Sequence, residues 1–362
     1  MKTEIPIEYA SPVAPALPRR ALPRLQELGL VLVILVMGLG LSICGYIQAA
    51  PGEENHFLNP GNLLEEIATP ASYYAIMAVG MTLVVISGGI DISVGSTMAL
   101  SAFTAARVLQ YFPKDAPAWE VLPAAFLLPM AVGLLCGLLN GSLIVSLNMH
   151  PFIVTLGTMS IFRGITVVTT KLQEIPMQDH QIPVAFTDHF MRLNVFGQRP
   201  MPMLVMLIVT AIGGFYLSQT AGGREIYAVG GNEEAARFSG LRTKWIKLRV
   251  YAVAGLTAGI AGMVWLGRFG ATSTGSGSGY ELTVIAAAVV GGASLTGGKG
   301  TALGALLGTI IIAMIQDGII TLHWKTEYQL IIVGSAIIIA VAIDSISGYV
   351  RQRRLAGAKA SV

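Results

Sequence analysis

The sequence predicts an all-α protein, a polytopic transmembrane helical bundle of about ten spans with broken or re-entrant glycine-rich helices and an internal repeat. Three observations predict it. Of 362 residues, 54% are hydrophobic and only 12% charged, and the mean hydropathy is +0.68; a soluble domain is roughly a quarter charged. Long apolar windows recur, as at 28–43, 208–217 with its flanks and 331–343, and they indicate helices rather than a barrel. Glycine occurs 42 times, which suits helices packed closely in lipid.

In order, the apolar windows fall at 28–47, 67–87, 91–111, 121–147, 151–170, 201–219, 248–267, 281–296, 301–322 and 327–348. Arg19, Arg20 and Arg24 precede the first, while the following loop carries Glu53, Glu54, Glu65 and Glu66 and no Lys or Arg. The positive-inside rule then sets the N-terminus in the cytoplasm. Counting alternately puts 221–247 inside, where Arg224, Arg237, Arg242, Lys244 and Lys247 cluster. The basic C-terminus, with Arg351, Arg353, Arg354 and Lys359, also belongs inside, which demands an even number of crossings. The expected division is a cytoplasmic tail 1–24, a transmembrane domain 25–349 and a cytoplasmic tail 350–362. The first apolar run lacks a small-residue cleavage site and reads as a retained span, not a signal peptide. The segment 171–200 is then external and long enough to cover a pore mouth.

Other classes find little support. The net charge of +3 resides in short loops, so no nucleic-acid partner is expected. Cys44 and Cys136 lie in apolar runs and suggest neither a disulfide framework nor a metal site. His56, His150, His180, His189 and His323 show no ligand spacing on one helix face, and no nucleophile–base pattern appears.

One span interrupts itself. "GGIDISVGSTMAL" from Gly88 has the spacing of "GGASLTGGKGTAL" from Gly291: Gly88 and Gly89 against Gly291 and Gly292, Ser93 against Thr296, Gly95 against Gly298. The offset is 203 residues. Unwound backbone in lipid leaves peptide groups unpaired, so such a break survives only inside protein or beside water. A pair of glycine-broken hydrophobic segments is a pointer to a translocation route. The alternative is two tight turns at the membrane edge. "GGKGT" at Gly297–Thr301 is not a phosphate loop, because Ala293 stands where its first glycine belongs and Gly300 where its final serine or threonine belongs.

The inside loop reads as a short amphipathic helix over 233–238 ending at Gly240, with Glu233 and Arg237 paired four residues apart. Such a helix suits a soluble partner pushing on the next span. "GGNEEAARFSGL", followed by "GYELTVIAAAVVGGASLTGGKGTALGALLGTIIIA" and preceded by "VISGGIDISVGS", resembles the permease subunit of bacterial ABC monosaccharide importers of the ribose, xylose and galactose type. The likeness runs from about Leu58 to Asp344. The resemblance implies a bacterial inner-membrane protein, a second permease copy, a cytoplasmic ABC ATPase and a periplasmic sugar-binding protein. It implies no cofactor in this chain, ATP and Mg residing on the ATPase. It makes Gly231, Asn232, Glu233, Ala235, Ala236, Arg237, Ser239 and Gly240 the ATPase-coupling segment.

Asp91, Arg107, Arg163, Arg268, Asp317 and Asp344 lie within or beside spans, where charge is costly unless it faces protein or water. A neutral sugar calls for amide and hydroxyl groups with little net charge. Asn140, Thr155, Gln316 and Asp317 therefore join Gly88, Gly89, Asp91, Ser93, Gly291, Gly292 and Thr296 as translocation-path candidates; each also suits plain helix-to-helix bonding. The expected action is alternating access with no chemistry on the sugar. An ion-coupled carrier remains a rival with Asp91 and Asp317 as its only material, as does an importer of another polar small molecule such as an amino acid.

Overall fold

The computed structural model describes residues 25–48, 55, 57–170, 174–177, 180–325, 327–336, 338, 339 and 342. Both predicted tails, with Arg19, Arg20, Arg24, Arg351, Arg353, Arg354 and Lys359, lie outside the described residues, as do Glu53, Glu54 and Asp344. Among the described residues the architecture is helical, with only isolated β-bridges.

Seven helical segments are long and apolar enough to cross a membrane. They are α1 (Leu25–Gln48), α2 (Thr69–Ile86) extended by a π-helical turn (Asn62–Ala68), α4 (Ala118–Leu147), α5 (Pro151–Thr170), α7 (Met201–Gln219), α10 (Thr243–Phe269) and α12 (Ala302–Thr321). Two apolar helices are shorter: α3 (Val94–Leu109) has 16 residues and α11 (Tyr280–Val290) has 11. At 1.5 Å per residue, α11 rises about 16 Å, roughly half a bilayer core. A further helical stretch occupies 328–336. The predicted windows 91–111 and 281–296 thus each include part of a non-helical break, because Asp91–Ser93 and Gly291–Thr301 form turns.

The segment α2 sits at the centre, 94% of its apolar window buried, against only 6% for α1 at the periphery. It is wrapped by α10, α11, α12 and α7. The most extensive pairing is α4 with α10. There Gly133 and Gly137 of α4 face Gly255 and Gly259 of α10 backbone to backbone. Lipid supplies no hydrophobic drive between helices, so this small-residue seam gains its stability from dispersion at close range.

The segment after α5 folds over one end of the bundle. It holds a three-residue helix α6 (Val184–Phe186) and a π-helical turn (Thr187–Met191), whose Phe186 and Met191 are fully buried against Gly267. Glu65 clamps the same end, pairing with Arg268 at 2.8 Å and Arg199 at 3.7 Å. From the opposite end project α8 (Ala221–Gly231) and α9 (Glu233–Phe238).

Candidate functional site

In the first break, Ser87–Ser93, Ser87, Gly89, Asp91 and Ser93 are buried, Ile90 and Ile92 half-buried and Gly88 exposed. The end of α2 is a left-handed glycine cap: Gly88 has φ +82°, its N–H donates to the Val85 carbonyl at 3.0 Å, and the Gly89 N–H donates to Val84 at 3.0 Å. This satisfies carbonyls that a helix end leaves free. Asp91, 3% exposed, then accepts from the Ser93 N–H at 2.8 Å and the Ser93 hydroxyl at 2.6 Å. Asn140 of α4 donates to the Ser93 Oγ at 2.8 Å. Thr155 of α5 accepts from the Ile92 N–H at 3.2 Å, and Tyr251 of α10 reaches the Ile90 carbonyl at 3.5 Å. Side chains from three helices thus replace the ladder that the break gives up.

The second break, Gly291–Thr301, ends α11 in the same way: Gly292 has φ +94°, and the N–H groups of Gly292 and Ala293 donate to Val289 and Ala288. It is longer, and its Ser294 and Thr296 hydroxyls pair at 2.8 Å. Thr301 caps α12 by accepting from the Gly304 N–H at 2.9 Å.

The two breaks meet. The Gly298 N–H donates to the Ile86 carbonyl at 2.8 Å. Gly230 of α8 packs its backbone onto that same Ile86 carbonyl and onto Gly297 and Gly298, leaving no room for a Cβ. Tyr227 of α8 also donates to the Gly300 carbonyl at 2.7 Å. The projecting pair is bolted to α10 by Arg249–Glu225 at 2.8 Å and Lys247–Glu233 at 2.7 Å. The helix α8 thus touches the end of α2, the second break and α10, and α9 touches α8 and α10.

The helix α9 spans the expected 233–238, with Asn232 accepting from the Ala235 N–H at 2.9 Å and Gly240 at φ +86° closing it. Ser239 donates to the Ala235 carbonyl at 2.9 Å, and Ala236 alone of the segment is buried. Gly231, Asn232, Glu233, Ala235, Arg237, Ser239 and Gly240 are exposed, beside Phe238 at 79% exposure. One expected pairing is not formed. Glu233 pairs with Lys247 rather than Arg237, which faces Glu234 at 3.9 Å. The reason is that α10 begins at Thr243, five residues earlier than its apolar window, bringing Lys247 onto a helix beside α9. A groove of about 620 Å³ lies here, walled by Asn148, Glu234, Arg237 and Lys244.

The path candidates therefore divide. Gly88, Gly89, Asp91, Ser93, Asn140 and Thr155 gather at the first break, and Gly291, Gly292 and Thr296 adjoin them through the Gly298–Ile86 bond. Gln316 and Asp317 lie apart, towards the far end of α12. Asp317 accepts from Asn62 at 3.3 Å and Thr321 at 3.5 Å. Near them Tyr73, Tyr74, Trp265 and Tyr280 form an aromatic cluster, Tyr73 and Tyr280 stacked at 5.8 Å. No local pattern joins this cluster in the sequence, since Tyr73 and Tyr74 share the window 67–87, Trp265 lies in 248–267 and Tyr280 just precedes 281–296. The hydroxyl-rich stretch 272–278 lies between two apolar windows, where no motif marks it.

A bundle with seven helices long and apolar enough to cross a membrane, and with glycine-rich breaks tied to projecting helices, has the architecture of a membrane transport permease. The chain belongs to the family described as branched-chain amino acid transport system / permease component, whose model matches residues 63–341. It is 37% identical over 289 residues to the ribose import permease protein RbsC of Escherichia coli K12, covering 78% of this chain and 86% of that protein. The D-allose transport system permease protein AlsC of the same organism is 36% identical over 80% of this chain and 85% of its own. The galactose/methyl galactoside import permease protein MglC, also from that organism, is 34% identical over 91% and 96%. No solved structure matches the chain.

Proposed function

We propose that this chain is the transmembrane permease subunit of an ATP-driven importer, passing a monosaccharide delivered by a periplasmic binding protein. The carrying observation is the junction of Ile86, Gly298 and Gly230. A load applied to α8 and α9 reaches both glycine-rich breaks through one hydrogen bond and one backbone contact. The sugar relatives named above, 34–37% identical over most of the chain, support a monosaccharide as cargo.

In this reading a cytoplasmic ATPase, which carries the ATP and Mg, grips Asn232–Gly240, the exposed Phe238 and the adjoining groove. Its closure shifts α8, and the breaks rearrange to alternate access between the two sides. The chain itself conducts and performs no chemistry. Both termini are cytoplasmic in the bacterial inner membrane. The seven long helices, α3, α11 and the helix from 328 make up the ten segments, and α2–α3 and α11–α12 are the two repeats. A second copy of this chain or a related permease completes the route.

The family description also names amino acids, which keeps a second cargo class in view. The test is reconstitution of the chain with its ATPase and binding protein in proteoliposomes, supplied with labelled ribose, allose, galactose and leucine. ATP-dependent accumulation of a sugar is expected. Accumulation of leucine alone, or uptake driven by an ion gradient without ATP, would refute the assignment.

A further inference from the structure

The segment between α10 and α11 descends into the bundle. At its start Thr272 exchanges two backbone hydrogen bonds with Ile175 of the covering segment, at 2.9 and 2.8 Å, which fixes it at the end of the bundle remote from α8. Five residues on, Gly277 lies against Gly95, in the first turn of α3 just past the first break. The shortness of α11 agrees: about 16 Å of helix leads from here to the second break, so α11 starts near mid-membrane.

Arg163 holds this descent in place. Its Nη1 donates to the Thr274 carbonyl at 2.9 Å and the Ser276 carbonyl at 2.6 Å. It sits twelve residues into α5, about 18 Å along the helix, again near the membrane centre. Ser276 accepts from the Ser273 N–H at 3.0 Å, so its hydroxyl serves the turn. Thr274 and Ser278 differ. Neither hydroxyl has a partner among the described residues, Thr274 is half-buried, and Ser278 is exposed together with Gly275 and Gly279. The Glu281 carboxylate lies against Gly95, within the electrostatic reach of Arg163.

Irregular backbone with free hydroxyls, an arginine and a carboxylate cannot face acyl chains at this depth. The surface it forms must look onto water or onto another protein. A dry helix contact in a membrane favours small apolar residues, as at the α4–α10 seam. Here instead are hydroxyls that donate and accept, beside a carboxylate that accepts, which is the chemistry that reads a neutral polyol.

We propose that Thr274, Ser278 and Glu281 form a sugar-contact site on the translocation path, with Arg163 as the residue that positions the loop. This rests on the importer reading and supplies its substrate-facing groups. A sugar leaving the outer mouth meets this loop directly before the Asp91 break.

The test uses the full chain with its ATPase and binding protein in proteoliposomes, comparing wild type with Thr274→Ala/Ser278→Ala. Labelled ribose, allose and galactose are the probes, and sugar moved per ATP hydrolysed is the readout. A fall of about tenfold is expected, the worth of two net hydrogen bonds. An unchanged ratio overturns the proposal, and so does an equal fall in uptake and ATP turnover, which marks a contact between copies. If wild type moves none of these sugars, the importer reading itself has failed and the site falls with it. A second measurement does not depend on transport: in a Cys44→Ser/Cys136→Ser background, Ser278→Cys should react with a membrane-impermeant maleimide. Protection from that reagent in the assembled complex would also refute a water-facing loop.

Discussion

Gly230 of α8 and Ile86 of α2 are in direct backbone contact, the glycine lying where any side chain would strike the Ile86 carbonyl. The same carbonyl accepts from the Gly298 N–H, so three segments far apart in sequence converge on one peptide group. Gly230→Val places bulk at this point and must drive α8 off the breaks. The expected result is a protein that still inserts but whose ATPase partner is no longer stimulated by sugar-loaded binding protein. Gly40→Ala, at a glycine with nothing within 4 Å, serves as control. Stimulated turnover at the wild-type rate in Gly230→Val would show that the junction does not transmit the load.

The exposed face of α9 gives a second prediction. In Glu233→Lys/Arg237→Glu the Lys247 pair is lost, but surface ion pairs contribute only about 0–1 kcal/mol, so membrane content and thermal stability should hardly change. Sugar-stimulated ATP turnover should nonetheless be abolished, because a partner surface matched to the native charges meets inverted ones. Co-purification of the ATPase with the variant, compared with wild type, checks the cause.

Much of this was legible in the sequence and the rest was not for identifiable reasons. Apolar windows located the seven long apolar helices and Gly240 the end of α9, since apolar composition over a span's length and a left-handed cap are local demands. The residue groups at the first break, Asp91, Ser93, Asn140 and Thr155, were each visible as polar residues out of place. That Asn140 bonds to Ser93 and not to Gln316 is a matter of helix packing, which no local pattern encodes. The helix α8 was missed because its eleven residues include four glycines, poor helix formers, and it is held by Thr220 capping and by tertiary contact. The pairing of Glu233 with Lys247 was missed because α10 extends beyond its apolar window into charged residues that face α9. The descent of 272–278 was hidden for a similar reason: serine, threonine and glycine between spans ordinarily mean a surface loop, and it is Arg163, 111 residues before Thr274, with the Gly277–Gly95 contact, that turns this one inward.

Asp91 offers a stability measurement. Its carboxylate is the acceptor for both the N–H and the hydroxyl of Ser93, and Asn140 bonds to that hydroxyl in turn. Asp91→Ala strands these donors in a buried place and should destabilise the protein by about 1–3 kcal/mol. Asp91→Asn keeps an acceptor oxygen and should lose less. Since the three residues act as one network, the effects of Asp91→Ala and Asn140→Leu in detergent melting should combine to less than their sum. Strict additivity would indicate that Asn140 is held by other contacts.

The α4–α10 seam is the most stringent test of the bundle. A Cβ at Gly137 would meet the Tyr251 carbonyl and, at 3.0 Å, the Gly255 Cα, and a Cβ at Gly255 would meet the Gly133 carbonyl and, at 2.7 Å, the Gly137 Cα. These neighbours are backbone, which cannot rotate out of the way, so Gly137→Leu must push the helices apart. Overpacking of a tight core costs about 1–3 kcal/mol, and here it also forfeits dispersion along the whole seam. The displacement bears on Tyr251, whose hydroxyl reaches the Ile90 carbonyl within the first break. Gly137→Leu should therefore lower both the melting temperature and transport, whereas Gly157→Leu on α5, with nothing within 4 Å of its own Cβ position in this protomer, should leave the melting temperature of the single chain near wild type. If Gly137→Leu melts like wild type, the close approach of α4 and α10 is not what secures the break, and the Ile90 carbonyl is held instead by the Thr155 hydroxyl, which donates to it at 3.4 Å.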